Sequence, residues 1–476
     1  MVSIVMIEDL KPYPEYKDSG VKWLGPVPKH WARSRIKHYL RETEERSRDG
    51  TGLLLSLTRS RGLIPQREAS KKLASASDLS KYKVCHSGQL VMNRMQAWSG
   101  MFAVAKETGL VSPDYSVFRN ISDGDVFYLD RLFKTPMLVD QFSQRSKGIG
   151  TGFNRLYSPD FGAIEVVVPP PTEQDAIVRF LDYADRQIHR YIRAKKKLIA
   201  LLNEQKQAII HRAVTRGLDP NVKLKPSGLE WIGDMPVNWT VLKLSQLTSR
   251  IGDGLHGTPK YVDASPFHFI NGNNLVDGSI SIRPTTRCVG EAEYLNHRVD
   301  LDETTLLMSI NGTIGNVACY NYEKVILGKS AAYIKCNKRI LRSFLFYYLQ
   351  SPTVTEHYKL EVTGTTIFNL SLDSIRGTKV ALPSVTEQLE IANFLDGETL
   401  RFKKAVSRIS LEIECLSEYR ARLIADVVTG KLDVREAAAK LPDFAVEPAL
   451  LDEADDLLQD DSTAEEGEPE AEDEAA

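Results

Sequence analysis

The chain has 476 residues, room for two or three domains that each bury a core of their own. Its net charge of −2 conceals an asymmetry: residues 441–476 hold 15 acids and no Lys or Arg, and the rest carries 61 basic against 48 acidic residues, or +13, a balance that suits attraction to phosphates. No apolar run approaches the ~18 residues of a membrane span, the start lacks a signal-peptide pattern, and the five cysteines lack metal-ligand or redox spacing, so a reduced, cytoplasmic protein without disulfides or structural zinc is expected.

Residues 1–19 are read as an N-terminal segment, followed by a globular domain over 20–171. The domain opens on Ser19-Gly20-Val21-Lys22-Trp23-Leu24-Gly25-Pro26-Val27-Pro28-Lys29-His30-Trp31. Its clearest β-like runs are 88–93 and 163–168, and 129–142 looks helical. Residues 172–225 carry a long helix and a linker. Ile177, Leu181, Ala184, Ile188, Tyr191, Lys195, Leu198, Leu202, Gln205 and Ile209 recur at alternating steps of four and three, and eight of these ten are apolar. A 3.5-residue period held for this length predicts a coiled-coil seam, with Lys195 on it as a register-setting charge.

The opening motif returns 208 residues later as Ser227-Gly228-Leu229-Glu230-Trp231-Ile232-Gly233-Asp234-Met235-Pro236-Val237-Asn238-Trp239 and begins a second domain over 226–383. Here 305–309 and 378–382 read as strands and 340–349 as a helix. A second long helix, 384–435, carries the matching track Ile391, Leu395, Glu398, Phe402, Ala405, Ile409, Glu412, Leu416, Tyr419 and Leu423. Thr172 and Thr386 are the expected N-caps of the two helices. Residues 172–219 and 386–433 align without a gap and share 15 identities in 48 positions, against about three for unrelated sequences of average composition. The recurring Trp23, Trp31, Trp231 and Trp239 are expected to pack in both halves.

This duplication predicts an α+β fold: two similar globular domains separated by two long antiparallel coiled-coil helices, with a pseudo-two-fold internal repeat. The repeat is circular, so Lys11 and Arg435 are expected near each other. Residues 436–476 are read as an acidic, disordered tail. A protein with two similar halves suits a target with two similar halves, of which the double helix is the commonest.

A search for catalytic groups finds none. Leu327-Gly328-Lys329-Ser330 lacks the first Gly of a phosphate-binding loop, where Glu323 stands instead. Ile251-Gly252-Asp253-Gly254 reads as a turn. His86, His256 and His268 have no ligand-spaced Cys or carboxylate, and no Asp/Asn-Pro-Pro-Tyr/Phe motif of adenine methyltransferases occurs. No metal and no cofactor are expected on this chain.

Several motifs fall in a telling order. Tyr13-Pro14-Glu15-Tyr16-Lys17-Asp18 leads into the first Gly-Trp motif. Pro169-Pro170-Pro171-Thr172-Glu173-Gln174 and Leu382-Pro383-Ser384-Val385-Thr386-Glu387-Gln388 precede the long helices, and Val428-Thr429-Gly430-Lys431-Leu432-Asp433 follows the second. Within the domains stand Asn93-Arg94-Met95-Gln96-Ala97-Trp98-Ser99-Gly100, Val111-Ser112-Pro113-Asp114-Tyr115 and Asp253-Gly254-Leu255-His256-Gly257-Thr258-Pro259. Over residues 11–435 the chain resembles the specificity subunit of type I restriction-modification systems. The resemblance implies a non-catalytic subunit with two target-recognition domains that reads a bipartite, asymmetric site on double-stranded DNA. It implies two methyltransferase subunits as partners, S-adenosylmethionine bound on those partners, and motor-nuclease subunits. No membrane is involved. The alternative is a free-standing two-domain DNA-binding regulator.

Base readout needs paired donors or acceptors, Arg or Lys for guanine and Asn or Gln for adenine. Such residues in non-periodic stretches are Arg59, Arg61, Arg94, Gln96 and Arg155 in the first domain. In the second they are Lys260, Asn271, Asn273, Asn274, Asn311 and Asn369. The helix contacts are expected from Ile177, Leu181, Ile188, Leu198, Leu202 and Ile209 on one side. Ile391, Leu395, Phe402, Ile409, Leu416 and Leu423 answer on the other.

Overall fold

The computed structural model describes residues 7, 10–59, 61–69, 79–148, 154–362 and 369–442. Two long helices, Pro171–Arg216 and Val385–Val428, each contribute to two compact units. Unit 1 joins Met1–Arg190 to Leu416–Ala476, and unit 2 is the continuous stretch Tyr191–Cys415.

After a short strand pair, Tyr16–Asp18 with Pro26–Pro28, unit 1 has β1 (Ala32–Arg35) and β2 (Leu40–Thr43), then a hairpin of β3 (Leu55–Thr58) and β4 (Gly62–Pro65). β5 (Leu90–Asn93), β6 (Phe102–Val104), β7 (Tyr115–Asn120) and β8 (Glu165–Val168) follow. The main sheet is antiparallel, in the order β2-β7-β5-β6. Its apolar face meets two helices, Val126–Phe133 and Pro136–Arg145, through Phe102, Phe118, Phe133, Phe142 and Phe161. These are the helical stretch expected at 129–142, broken in two because Pro136 has no N–H to continue the first helix. At the neck of the domain β1 pairs with β8, Ala32 opposite Val168.

Unit 2 repeats the plan. β9 (Thr240–Lys243), β10 (Thr248–Asp253), β11 (Tyr261–Val262), β12 (Phe267–Ile270) and β13 (Cys288–Val289) come first. β14 (Thr305–Ser309), β15 (Val317–Cys319), β16 (Val325–Leu327), β17 (Ala331–Cys336) and β18 (Lys379–Leu382) complete it. The main sheet runs β10-β17-β14-β15, the same order as in unit 1, and β9 pairs with β18 at the neck, Thr240 opposite Leu382. A second, mixed sheet, β11-β13-β12-β16, has β12 parallel to β16. Unit 1 keeps only a reduced version of it: the hairpin β3–β4 stands in the same place, and Leu54, just before β3, meets Leu110 in an isolated parallel bridge.

The same clasp ties each helix start to its domain. Gln174 donates to Pro169 O (2.9 Å) and accepts from Asp125 N (2.8 Å), just before the helix Val126–Phe133. Gln388 donates to Pro383 O (3.1 Å) and Arg339 O (3.0 Å) and accepts from Leu341 N (2.7 Å), just before the helix Arg342–Leu349. Both amides are buried, so their donors and acceptors are satisfied by protein alone. Thr172 and Thr386 are not the N-caps: they lie one residue inside helices that start at Pro171 and Val385. Ser384 caps the second, its Oγ accepting from Glu387 N at 3.2 Å.

Within each unit the two long helices run antiparallel. In unit 1 Asp185 meets Arg420 (3.0 Å), with Leu181 and Ile177 packed in one cluster with Leu423 and Val427. In unit 2 Lys195 Nζ meets Glu412 Oε2 (2.5 Å), so the seam lysine does carry a register-setting pair. Ile177, Leu181, Ile188, Ile391, Leu395, Ile409 and Leu423 are buried, and Leu202, Ile209, Phe402 and Leu416 half-buried. Leu198 departs from the expected seam and is 44% exposed, as Tyr191 and Gln205 are also exposed. Ile192, Ile199 and Lys206 are half-buried instead, so the seam takes a second step of four between Ile188 and Ile192 and then resumes its alternation through Lys195, Leu202 and Ile209.

The ends of the described body meet. Lys11 and Asp433 form an antiparallel bridge, Asp433 N donating to Lys11 O at 2.8 Å. The N-terminal segment is therefore part of unit 1, with Tyr13 buried in its core. The expected tail starts later than residue 436, because Arg435–Ala439 is helical with Val434 and Ala438 buried. Residues from 443 lie outside the described ones. Over this junction stands Glu173, 95% buried, which accepts from Tyr13 Oη (2.7 Å) and Trp31 Nε1 (2.9 Å) and pairs with His30 Nε2 (2.7 Å). Arg435 Nη1 approaches at 3.9 Å. Burial first, then the Glu173 bond, push the Tyr13 hydroxyl far above its ordinary range.

The repeat partner behaves differently. Trp239 is as buried as Trp31, but its Nε1 has no hydrogen-bond partner, and Glu387, the counterpart of Glu173, is half-buried. Gly217, at φ +74°, lies between them: a Cβ there would stand 3.2 Å from Glu387 Oε1 and 3.5 Å from Trp239 Cζ2. In unit 2 the chain is continuous through this junction, so covalent bonds hold what the Glu173 cluster holds in unit 1.

Asp185 gives unit 1 an acid-sensitive tie. It is 17% exposed and shared by Arg420 and Arg131, which also pairs with Asp182. Burial would raise its pKa, but Arg420 and Arg131 outweigh burial and hold it below the ordinary value. The folded pKa lies below the unfolded one of ~3.9, so this contribution is complete above that pH and fades as the pH falls through the folded value. Asp185→Asn should cost about 1–3 kcal/mol at pH 7, between exposed and fully buried pairs. Urea titrations of both proteins should converge below pH ~4; an equal gap at pH 3 and pH 7 would count against the tie.

Candidate nucleic-acid interface

In unit 1 the turn after β5, the loop before β7 and the segment near Leu156 are drawn together by Arg94. Its Nε donates to Asp114 O (2.7 Å), its Nη2 to Pro113 O (3.0 Å), and its carbonyl accepts from Leu156 N (3.0 Å). Arg94 is thereby a scaffold residue rather than a free reader. Beside it Arg155 is 3.9 Å from Asp114, too loose to fix the guanidinium. Gln96 is exposed and accepts from Asn93 Nδ2 (3.0 Å). Trp98, which the residue-type argument passed over, is 43% exposed with its Nε1 donated to Met95 O. Arg59 and Arg61 sit on the turn of the β3–β4 hairpin: Arg59 is exposed, and Arg61 Nη2 donates to Glu68 O (2.6 Å). Of the five expected residues, the structure brings Arg94 and Arg155 to Asp114, with Gln96 two residues beyond Arg94 on the same turn.

In unit 2 Asn271, Asn273 and Asn274 form a short turn after β12. Asn271 N donates to Asn274 Oδ1 (2.9 Å), and Asn274 Nδ2 donates to Ser281 O (3.1 Å). The Leu327-Gly328-Lys329-Ser330 segment finds its role here, as support rather than as a phosphate loop. Ser330 Oγ donates to Asn271 Oδ1 (3.0 Å) and accepts from Gly272 N (2.9 Å). Gly328 leaves the space that Asn271 occupies, since a Cβ there would stand 2.2 Å from Asn271 Oδ1 and 2.8 Å from Phe269 Cζ.

This turn is one wall of a cleft of about 210 Å³, completed by Tyr261, Phe269, Arg283, Thr285, Thr286 and Arg287. Arg287 lies over the Tyr261 ring, 4.7 Å from its centroid. The two arginines and Tyr261 were missed from sequence; the irregular run Arg283-Pro284-Thr285-Thr286-Arg287 was the available signal. Lys260 is exposed beside Tyr261. Asn311 and Asn369 meet as an isolated antiparallel bridge. The Asn311 Oδ1 is buried and has no partner among the described residues, whereas Asn369 is exposed.

Among the described residues no group of three or more His, Cys, Asp or Glu side chains is placed to hold a metal ion, and no helix is long and apolar enough to cross a membrane. Burial pushes the Cys85 thiol up to about 11 and the Cys336 thiol up to about 12, which keeps both protonated and poor nucleophiles.

Residues 267–404 match the type I restriction modification DNA specificity domain. A putative type I restriction enzyme MjaX specificity subunit from Methanocaldococcus jannaschii is 21% identical over 88% of this chain and 98% of its own length. The MjaVIII specificity subunit of the same organism is 25% identical over 64% of this chain and 70% of its own. A chain from a solved structure concerned with assembly and conformational transition of the type I R-M system shares the fold. It has a TM-score of 0.64 at 16% identity, covering 85% of this chain and 99% of that one.

Proposed function

We propose, from the chain's place among the specificity subunits of type I restriction-modification systems, that it is the DNA-reading subunit of such a system. Each domain addresses one half of a bipartite, asymmetric site. The observation that carries this is a repeat with unlike reading surfaces. The two main sheets share one strand order, while the four-stranded mixed sheet of unit 2 is answered in unit 1 by a hairpin and one parallel bridge, and the arginine-lined cleft is built from unit 2 residues. Similar scaffolds suit the two similar halves of a duplex target, and unlike loops give each half a different sequence to read.

Chemistry belongs to partners in this reading. Two methyltransferase subunits carry S-adenosylmethionine and methylate adenine, and motor-nuclease subunits act on unmodified DNA; the chain itself supplies neither a cofactor site nor a nucleophile. A free-standing regulator is the less favoured reading, since both curated relatives are named as specificity subunits. The purified chain should therefore leave DNA unmethylated and uncut. With its cognate methyltransferase it should direct adenine methylation to one asymmetric two-part sequence, read by methylation-sensitive sequencing. Methyl transfer by the lone chain, or methylation without a sequence preference in the assembly, would refute the assignment.

A further inference from the structure

We propose that the cleft between Tyr261, Asn271, Asn273 and Arg287 is a base-reading pocket of the second domain, and that it takes the acceptor edge of a guanine. The inference rests on the DNA-reading function above and adds the residue and the base.

The cleft is built to donate. No carboxylate lines it, and among the described residues neither Arg283 nor Arg287 forms an ion pair. The Asn271 carbonyl is already occupied by Ser330, and both groups of the Asn274 amide are engaged. The Asn271 NH₂ has no partner among the described residues and remains a donor.

Only one base edge in the major groove matches such a wall. Guanine presents O6 and N7, two adjacent acceptors. Adenine and cytosine each place an amino donor there, and thymine offers one acceptor beside a methyl group. Arg287 is the reader favoured by geometry. Its seat over the Tyr261 ring, itself edge-to-face with Phe269 at 6.1 Å, narrows the range through which the guanidinium can swing, which favours a bidentate contact. The Asn271–Asn274–Ser281–Ser330 network holds the opposite wall still. A space of about 210 Å³ admits a base edge but not a duplex, so the base pair presents its edge at the mouth.

A phosphate is also acceptor-rich, and Arg287→Lys separates the two. Lysine keeps the charge that a phosphate needs but loses the paired donors that guanine needs. The full-length chain, assembled with its cognate methyltransferase, would be mapped for methylated sites as wild type, R287A and R287K. The relevant half-site is the one that survives exchange of the first domain.

Both variants should make one guanine position of that half-site degenerate, by roughly 5- to 150-fold in preference, and leave the other half unchanged. Arg287 is exposed, so neither change disturbs a core. Uniformly weaker methylation with unchanged preference, restored by R287K, would make Arg287 a phosphate contact and overturn the proposal. Relaxation at a position other than guanine, or no change at all, would overturn it too. A wild-type assembly that methylates without sequence preference would instead refute the DNA-reading function on which it rests.

Discussion

Replacing Glu173 with Ala should destabilise unit 1 by about 3–5 kcal/mol, whereas Glu387→Ala should cost within about 1 kcal/mol. The two glutamates occupy the same place in the repeat, so composition and local sequence do not separate them. Environment does. Glu173 is a buried carboxylate with donors from Tyr13, Trp31 and His30, and its removal leaves the buried Tyr13 and Trp31 donors without an acceptor, while the partly exposed His30 can turn to water. Glu387 is half-buried, and the buried Trp239 Nε1 beside it has no partner to lose. Segment-resolved hydrogen exchange would assign the loss, with E173A opening residues 11–31 and 423–438 together. Equal destabilisation by both variants would mean that Glu173 closes no junction.

The second large effect concerns exchange of a whole domain. Replacing residues 31–168 with the same stretch of a relative should change one half of the methylated site and leave the other intact. The cut points are neighbours, because Ala32 pairs with Val168 across β1 and β8, so the exchanged piece leaves and re-enters the body at one place. If each half reads even two base pairs at ~1–3 kcal/mol each, the original half-site should lose at least about thirtyfold in preference. The graft must still fit the helices. Tyr128 donates to Val428 O (2.9 Å), and the helix Val126–Phe133 packs in one core with Phe180, Leu181 and Val427. A folded hybrid that lost both half-specificities would show that the domains do not read independently.

Much of this architecture was legible before any coordinates, because it is written in local signals. The repeated Trp motifs, the two long apolar tracks and the strands at 90–93 and 305–309 depend on residues close in sequence. The meeting of Lys11 with Asp433 is not local, but a circular repeat implies it. The misses share a physical origin. The seam passes from Leu198 to Ile199 because a second step of four, from Ile188 to Ile192, interrupts the alternation, and a strict heptad count ignores such a step. The pairing of β12 with β16 joins residues nearly 60 apart, and no local pattern encodes it. Among the reading residues, amino-acid type was a fair guide to the turn Asn271–Asn274. It could not tell that Arg94 spends its donors on two backbone carbonyls or that the Asn311 oxygen is buried. Arg283 and Arg287 were overlooked because a stacked guanidinium becomes visible only when Tyr261 is brought beneath it.

The discontinuity of unit 1 also sets a timetable. Ala184 and Leu423, which share its core, are separated by roughly 240 residues of chain. At a synthesis rate of ~5–20 residues per second, about 12–48 s pass between them. During that interval the first domain has its sheet and aromatic cluster but lacks Leu423, Val427, Val428 and Val434, so part of its apolar surface waits uncovered. Unit 2 is one continuous stretch, and its core, from Ile210 to Leu395, is complete within roughly 185 residues, before Leu423 is made. The domain made first is the one finished last.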